Sequence, residues 1–190
     1  MSNIAMQGGA TGTGTVTLLA PSTSTNRTIN LPDSNGTILT TATAGVPVNG
    51  PAFSAYNSSS TTLSAGTYTK IALQTETFDT NSYFDNATNY RFTPLISGYY
   101  QINGGVSTNN PAGAVTSVIY KNGSIYAKGS INVPQAATTL AASVVSSVVY
   151  FNGATDYVEL YGLQTNGSSQ TTNANSYDTY FNGAMIRSAT

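Results

Sequence analysis

The 190 residues include no histidine and no cysteine, so any acid–base or metal chemistry must come from carboxylates, tyrosines, hydroxyls and amides. A serine–histidine pair, a cysteine nucleophile, haem and iron–sulfur ligation and the common zinc sites each need a missing residue type. The acidic residues are Asp33, Glu76, Asp79, Asp85, Asp156, Glu159 and Asp178. Hydrolysis of a glycosidic bond takes two carboxylates facing one bond, and Glu76 with Asp79 is the nearest cluster in sequence. Asp79, Asn81 and Asp85 alternate hard oxygen donors of the kind calcium takes, without a full acidic ligand set. Carboxylates in turns more often accept hydrogen bonds from their own backbone. The reading is a non-enzymatic protein with no cofactor, calcium being the one metal considered.

Recognition by surface is the remaining chemistry. Two polar loops, 107–113 and 164–178, carry Asn109, Asn110, Asn173, Asn175, Tyr177 and Asp178. Amides and a tyrosine ring can bind a sugar by hydrogen bonds and stacking, which makes these residues candidate receptor contacts. The alternative is that both loops are solvated connectors.

The composition is narrow. Thirty Thr, 22 Ser, 19 Asn and 6 Gln stand against 6 basic and 7 acidic residues. Charged residues make up 7% of the chain, far below the roughly 25% of a soluble domain. Thr, Val, Ile and Tyr favour strands, while the helix formers Lys, Glu and Arg are scarce. A net charge of −1 with six scattered basic residues predicts no nucleic-acid footprint. No apolar run approaches membrane-spanning length, and the opening ten residues lack a secretory pattern, so a soluble product without membrane insertion is expected.

Pro and Gly at 45–51 interrupt any regular element and mark a hinge at 46–51 between an arm, 1–45, and a head, 52–190. The arm holds three short strand-like pieces, at 15–19, 27–31 and 37–40, too sparsely apolar to close a core alone. The head reads as strands at 53–56, 67–73, 90–92, 98–102, 157–161 and 180–186, with a hairpin around Asn122-Gly123. About eight short strands separated by Gly, Asn and Ser turns predict an all-β sandwich or jelly roll.

The run 139–151 is apolar on both faces: Ala142, Val144, Val148 and Tyr150 lie on one, Val145, Val149 and Phe151 on the other. Such a strand is expected to be covered on its second face too, either by a neighbouring subunit or by a loop of the same chain.

Four separated segments carry a family resemblance. Tyr83-Phe-Asp85 is followed by Phe92, Gly98, Tyr100 and Ile102; then come Tyr120-Lys-Asn-Gly123, Asp156-Tyr-Val-Glu-Leu160 and Tyr180-Phe-Asn-Gly-Ala-Met-Ile186. In order and spacing they resemble the globular head of complement first component, q subunit, a tumour-necrosis-factor-like jelly roll. Ile102 stands where that family has Phe, Ala154-Thr155 replaces a Gly, and no collagen-like tract precedes the head. Residues 14–43 instead resemble the short repeats leading into the tips of bacteriophage fibres. Together the resemblances imply a tumour-necrosis-factor-like jelly roll with an extended β-rich N-terminal arm, assembled as a homotrimer on a phage particle. Phe92, Gly98, Tyr100, Ile102, Val145, Val149, Phe151 and Phe181 are then expected in the core or the trimer interface.

The functions implied are a fibre or spike whose knob contacts the host surface, with host polysaccharide as a possible ligand, or a capsid decoration or head fibre. A secreted jelly-roll binding module is the third alternative. In the first two the arm, 1–45, docks on other virion proteins, capsid or tail, or on sister chains.

Overall fold

Burial alternates along 141–151 and through 98–104, and this two-residue period is what divides those strands between a core face and an outward face, while 104–108 are buried throughout. The computed structural model describes residue 24 and residues 50–108, 113–131 and 140–189. Their strands are β1 (Ala52–Tyr56), β2 (Thr62–Leu63), β3 (Thr69–Lys70), β4 (Thr75–Asp79), β5 (Phe84–Asp85) and β6 (Arg91–Phe92). They continue with β7 (Gly98–Thr108), β8 (Val115–Lys121), β9 (Ser124–Lys128), β10 (Ala141–Phe151), β11 (Val158–Gln164), β12 (Gln170–Thr171) and β13 (Tyr180–Ser188). No helix occurs among the described residues. The arm, 1–45, and the hinge up to residue 49 lie outside them. Pro51, the end of the expected hinge, is buried, and its carbonyl accepts the Met185 amide at 3.0 Å.

Two antiparallel sheets form the sandwich. The first runs β10-β7-β13-β1-β4; the second runs β5-β6-β11-β8-β9, with β3 joining β11. β2 and β12 make a small separate pair. This is the all-β jelly roll that the strand pattern predicts.

Aromatic rings tie the sheets together. Phe53 of β1 stacks on Phe92 of β6 at 4.2 Å and on Phe84 of β5 at 5.1 Å, and meets Phe181 of β13 edge-on at 5.4 Å. Tyr100 and Phe151 extend the cluster from the first sheet, 5.0 Å apart and each edge-on to Phe92. Ring pairs at these separations add to ordinary burial because edge and face carry opposite partial charge. Tyr100 is fully buried and donates its hydroxyl to the Ile96 carbonyl at 2.8 Å, so its polar end is satisfied. Gly98 explains the motif's spacing: a Cβ there would lie 2.5 Å from the Arg187 carbonyl oxygen, so the turn into β7 admits no side chain.

β10 is an edge strand, and its free side is sealed by the second sheet. Ser130 donates its amide to the Val144 carbonyl (3.3 Å), Tyr126 its hydroxyl to that of Val148 (3.0 Å), and Lys121 its ammonium to that of Tyr150 (2.8 Å). Ser117 and Ser143 bond side chain to backbone in both directions, at 2.8 and 2.6 Å. Capping these acceptors removes the template on which another chain would add a strand.

The Asn122-Gly123 hairpin forms as expected, with both residues at positive φ (51° and 78°), the primed turn that matches strand twist. Two strand expectations need correction. The run 67–73 pairs only at Thr69–Lys70, because buried Asn57 donates to the Ala72 carbonyl (2.6 Å) and Thr61 accepts the Ala72 amide (3.2 Å), giving that backbone side-chain partners instead. Conversely, β7 continues past Ile102 to Thr108, since β10 and β13 pair with it on either side and outweigh the strand-breaking Asn103-Gly104-Gly105.

Removal of the ring that both sheets share should be severe. Phe53→Ala is expected to cost about 3–5 kcal/mol, read as a fall in denaturation midpoint. Gly98→Ala should also destabilise by forcing the β7 and β13 backbones apart, while an exposed change such as Ser124→Ala should not.

Candidate functional site

The outward face of the first sheet is built by the even-numbered residues of β10 and their cross-strand partners. Val144, Val148 and Tyr150 are exposed there by 57%, 46% and 42%, joined by Tyr99 of β7 and Ile186 of β13. Tyr99 and Tyr150 pair directly in register, ring centroids 5.4 Å apart. With Val148, Ile186 and Arg187 they line an open depression of about 600 Å³. Solvent-exposed apolar side chains on three adjacent strands form a patch of the kind that marks an interaction surface.

A ladder of uncharged polar groups crosses the middle of this face. Gln101 donates to Asn103 (3.1 Å) and to Ser146 (2.8 Å), Ser146 donates to Asn103 (2.8 Å), and Asn103 donates to Asn182 (3.1 Å). Groups already bonded to one another cost less to desolvate on contact than groups bonded only to water. Beyond the ladder, a second depression of about 280 Å³ is lined by Ala52, Phe78, Asn182 and Ala184 among others.

The other parity of β10 faces inward. Val145, Val149 and Phe151 are buried in the chain's own core, as are Phe92, Gly98, Tyr100, Ile102 and Phe181. The residues left on the outside are therefore their neighbours. The alternation in β10 was the available signal, whereas Tyr99 and Ile186 lacked one until their strands were placed beside it.

The loop candidates separate. Asn109 and Asn110 lie outside the described residues. Asn173 is a correction: it is 5% exposed, donating its side-chain amide to Ser107 Oγ at 2.9 Å and its backbone amide to the Ser107 carbonyl at 2.9 Å. It braces β7, with its side-chain amide committed to Ser107 and the residue buried away from a receptor. Asn175 and Asp178 hold a turn, with the Asn175 amide donating to Asp178 at 2.6 Å and Asn175 Oδ1 accepting the Asp178 backbone amide at 2.7 Å. Tyr177, at their centre, is 80% exposed.

The candidate carboxylates are engaged locally. Asp79 accepts the amides of Asn81 (3.2 Å) and Phe84 (2.7 Å), and burial, followed by the Asp79 charge, raises the Glu76 pKa. Asp85 accepts the amides of Ala87, Thr88 and Asn89 and the Asn89 side chain at 2.7–3.1 Å. The Asp79 and Asp85 oxygens that would approach a calcium ion thus serve turns, and no group of three or more metal-ligating acidic residues forms among the described residues. Burial opposes ionisation of Asp156, but hydrogen bonds from Asn122, Lys121 and the Asn152 backbone outweigh it and lower its pKa.

No protein-family model matches the chain, and no curated protein matches it. Its likeness is to solved structures. The tumour necrosis factor Eiger from Spodoptera frugiperda superposes with a TM-score of 0.58 at 6% identity, over 74% of this chain and 95% of that one. The globular domain of zebrafish complement 1qA does so with a TM-score of 0.58 at 14% identity, over 74% and 100%. The vertex protein P5 of PRD1 gives 0.53 at 16% identity, over 72% and 96%. At these identities the likeness establishes the fold, that of the tumour-necrosis-factor and complement jelly rolls.

The Asp85 carboxyl is held down at about 2, first by the Thr88 amide against a desolvation penalty, with Ala87 and Asn89 adding to it. A depressed folded pKa stabilises the protein above the ordinary carboxyl range, and that stability is lost as pH falls from about 4 towards 2. Asp85→Ala should lower the thermal midpoint at pH 7, and its gap from the parent should close as pH approaches 2. A constant gap would remove the ionised carboxylate from the account.

Proposed function

We propose that the chain is a non-enzymatic structural protein of a phage particle, whose head assembles as a homotrimer through the outward face of its first sheet. The observation that carries this reading is the uncovered strip of Val144, Val148, Tyr150, Tyr99 and Ile186 around an already-bonded amide ladder. Closure about a three-fold axis buries such a strip while leaving loops and the second sheet outside. The resemblance to a phage vertex protein supports a virion setting. In this reading the core residues Phe92, Tyr100, Val149 and Phe151 act on assembly only by holding β7 and β10 flat beneath it.

Residues 1–45 are assigned the docking role on other virion proteins, and residues 52–190 the projecting knob. Its duty is contact with the host surface as a fibre or spike. A decoration or head fibre on the capsid shell is the second reading.

Four measurements decide these points. The full chain should sediment at about three times its 19.6 kDa mass. Val148→Arg should weaken association at least about a hundredfold, because it buries an unpaired charge, without loss of the β-sheet spectrum. A parent chain that stays monomeric at micromolar concentration would end the trimer reading. Labelled antibody on intact particles should mark the tail or spike, and particles lacking the protein should fail to adsorb; normal adsorption with a weakened shell would select the decoration role.

A further inference from the structure

The outward face of the second sheet has a different chemistry. Tyr120 of β8 and Tyr161 of β11 stack at 3.9 Å, and Tyr68 meets Tyr120 edge-on at 6.1 Å. The Lys128 ammonium sits 5.3 Å above the Tyr68 ring and the Arg91 guanidinium 4.5 Å above that of Tyr157. Glu159, opposite both Arg91 and Tyr120 in the sheet register, is buried beneath this group and paired with Lys70 at 2.5 Å. Six basic residues that looked scattered along the chain thus place three, Lys70, Arg91 and Lys128, on one face. Only Lys70 among them has a carboxylate partner among the described residues.

We propose that this face binds an acidic saccharide, a uronate-bearing polysaccharide. The tyrosines, all partly exposed, offer aromatic surface to the apolar C–H faces of sugar rings. Arg91, which faces Asp85 and Glu159 in the register without forming an ion pair to either, and Lys128 supply the positive charge, and a guanidinium pairs with a carboxylate through two parallel hydrogen bonds. A nucleic acid would also stack on tyrosines, but its affinity depends on neutralising several phosphates, and this face has only Arg91 and Lys128 outside an ion pair among the described residues.

The proposal deepens the host-surface reading and rests on it for the source of the ligand; the site is tested apart from it. Titration of the full chain with tetragalacturonate, followed by amide shifts, should move β8, β11 and β3. Lys128→Glu and Arg91→Gln should each weaken binding about three- to fivefold, as should added salt, with assembly mass and thermal midpoint unchanged. Equal binding of neutral maltotetraose, tighter binding of oligothymidylate, no shifts at about millimolar uronate, or unchanged affinity in both variants would overturn the site. Uronate binding by the chain, with normal adsorption of particles lacking it, would leave the site standing and remove the adhesin reading. Adsorption that needs the protein, without uronate binding, would remove the site alone.

Discussion

Phe53 lies against Phe92 across the gap between the sheets, and the rest of the arrangement depends on that contact. Phe53 belongs to the first sheet and Phe92 to the second, and Phe84, Phe181, Tyr100 and Phe151 close around them. With so few charges available, apolar burial between two faces is the dominant attraction left to the chain. Once those rings set which face of β1, β7, β10 and β13 turns inward, the opposite parity of each strand is committed to the outside. Val144, Val148 and Tyr150 are exposed because Val145, Val149 and Phe151 are not.

Polar satisfaction follows a similar economy. The chain substitutes amides and hydroxyls for ion pairs: Asn57 bonds the Ala72 and Ser59 carbonyls and accepts from Thr172, and Gln164 donates to the Leu63 carbonyl. Among the described residues only Thr108 Oγ1 is buried without a partner. A buried amide can satisfy donors and acceptors at once and carries no ionic desolvation penalty, so it serves inside a sandwich where a charge would be costly. The two ion pairs among the described residues, Lys70–Glu159 and Lys121–Asp156, both belong to the second sheet and its turns.

The sandwich therefore presents two unlike surfaces. The first sheet offers aliphatic and tyrosine side chains around an internally bonded amide ladder, a surface that a copy of itself can cover. The second offers a stacked tyrosine pair flanked by two further tyrosines that each carry a cation over the ring. In the proposed reading one face serves assembly and the other recognition, which a sandwich allows because it has two outsides.

Strand type, the Asn122-Gly123 hairpin, the jelly-roll class and the absence of histidine and cysteine chemistry were all legible in the linear order, because each rests on neighbours in sequence. The alternation in 139–151 likewise told that two apolar faces exist. Which face turns inward is a relation to β1, β6 and β7, and periodicity is blind to it. The same limit hid the burial of Asn173 against Ser107, the loss of strand at 67–73 to the Asn57 and Thr61 side chains, and the meeting of Lys70, Arg91 and Lys128. Each of those arises from contacts between residues distant along the chain, and such contacts exist only after packing selects one register for every strand.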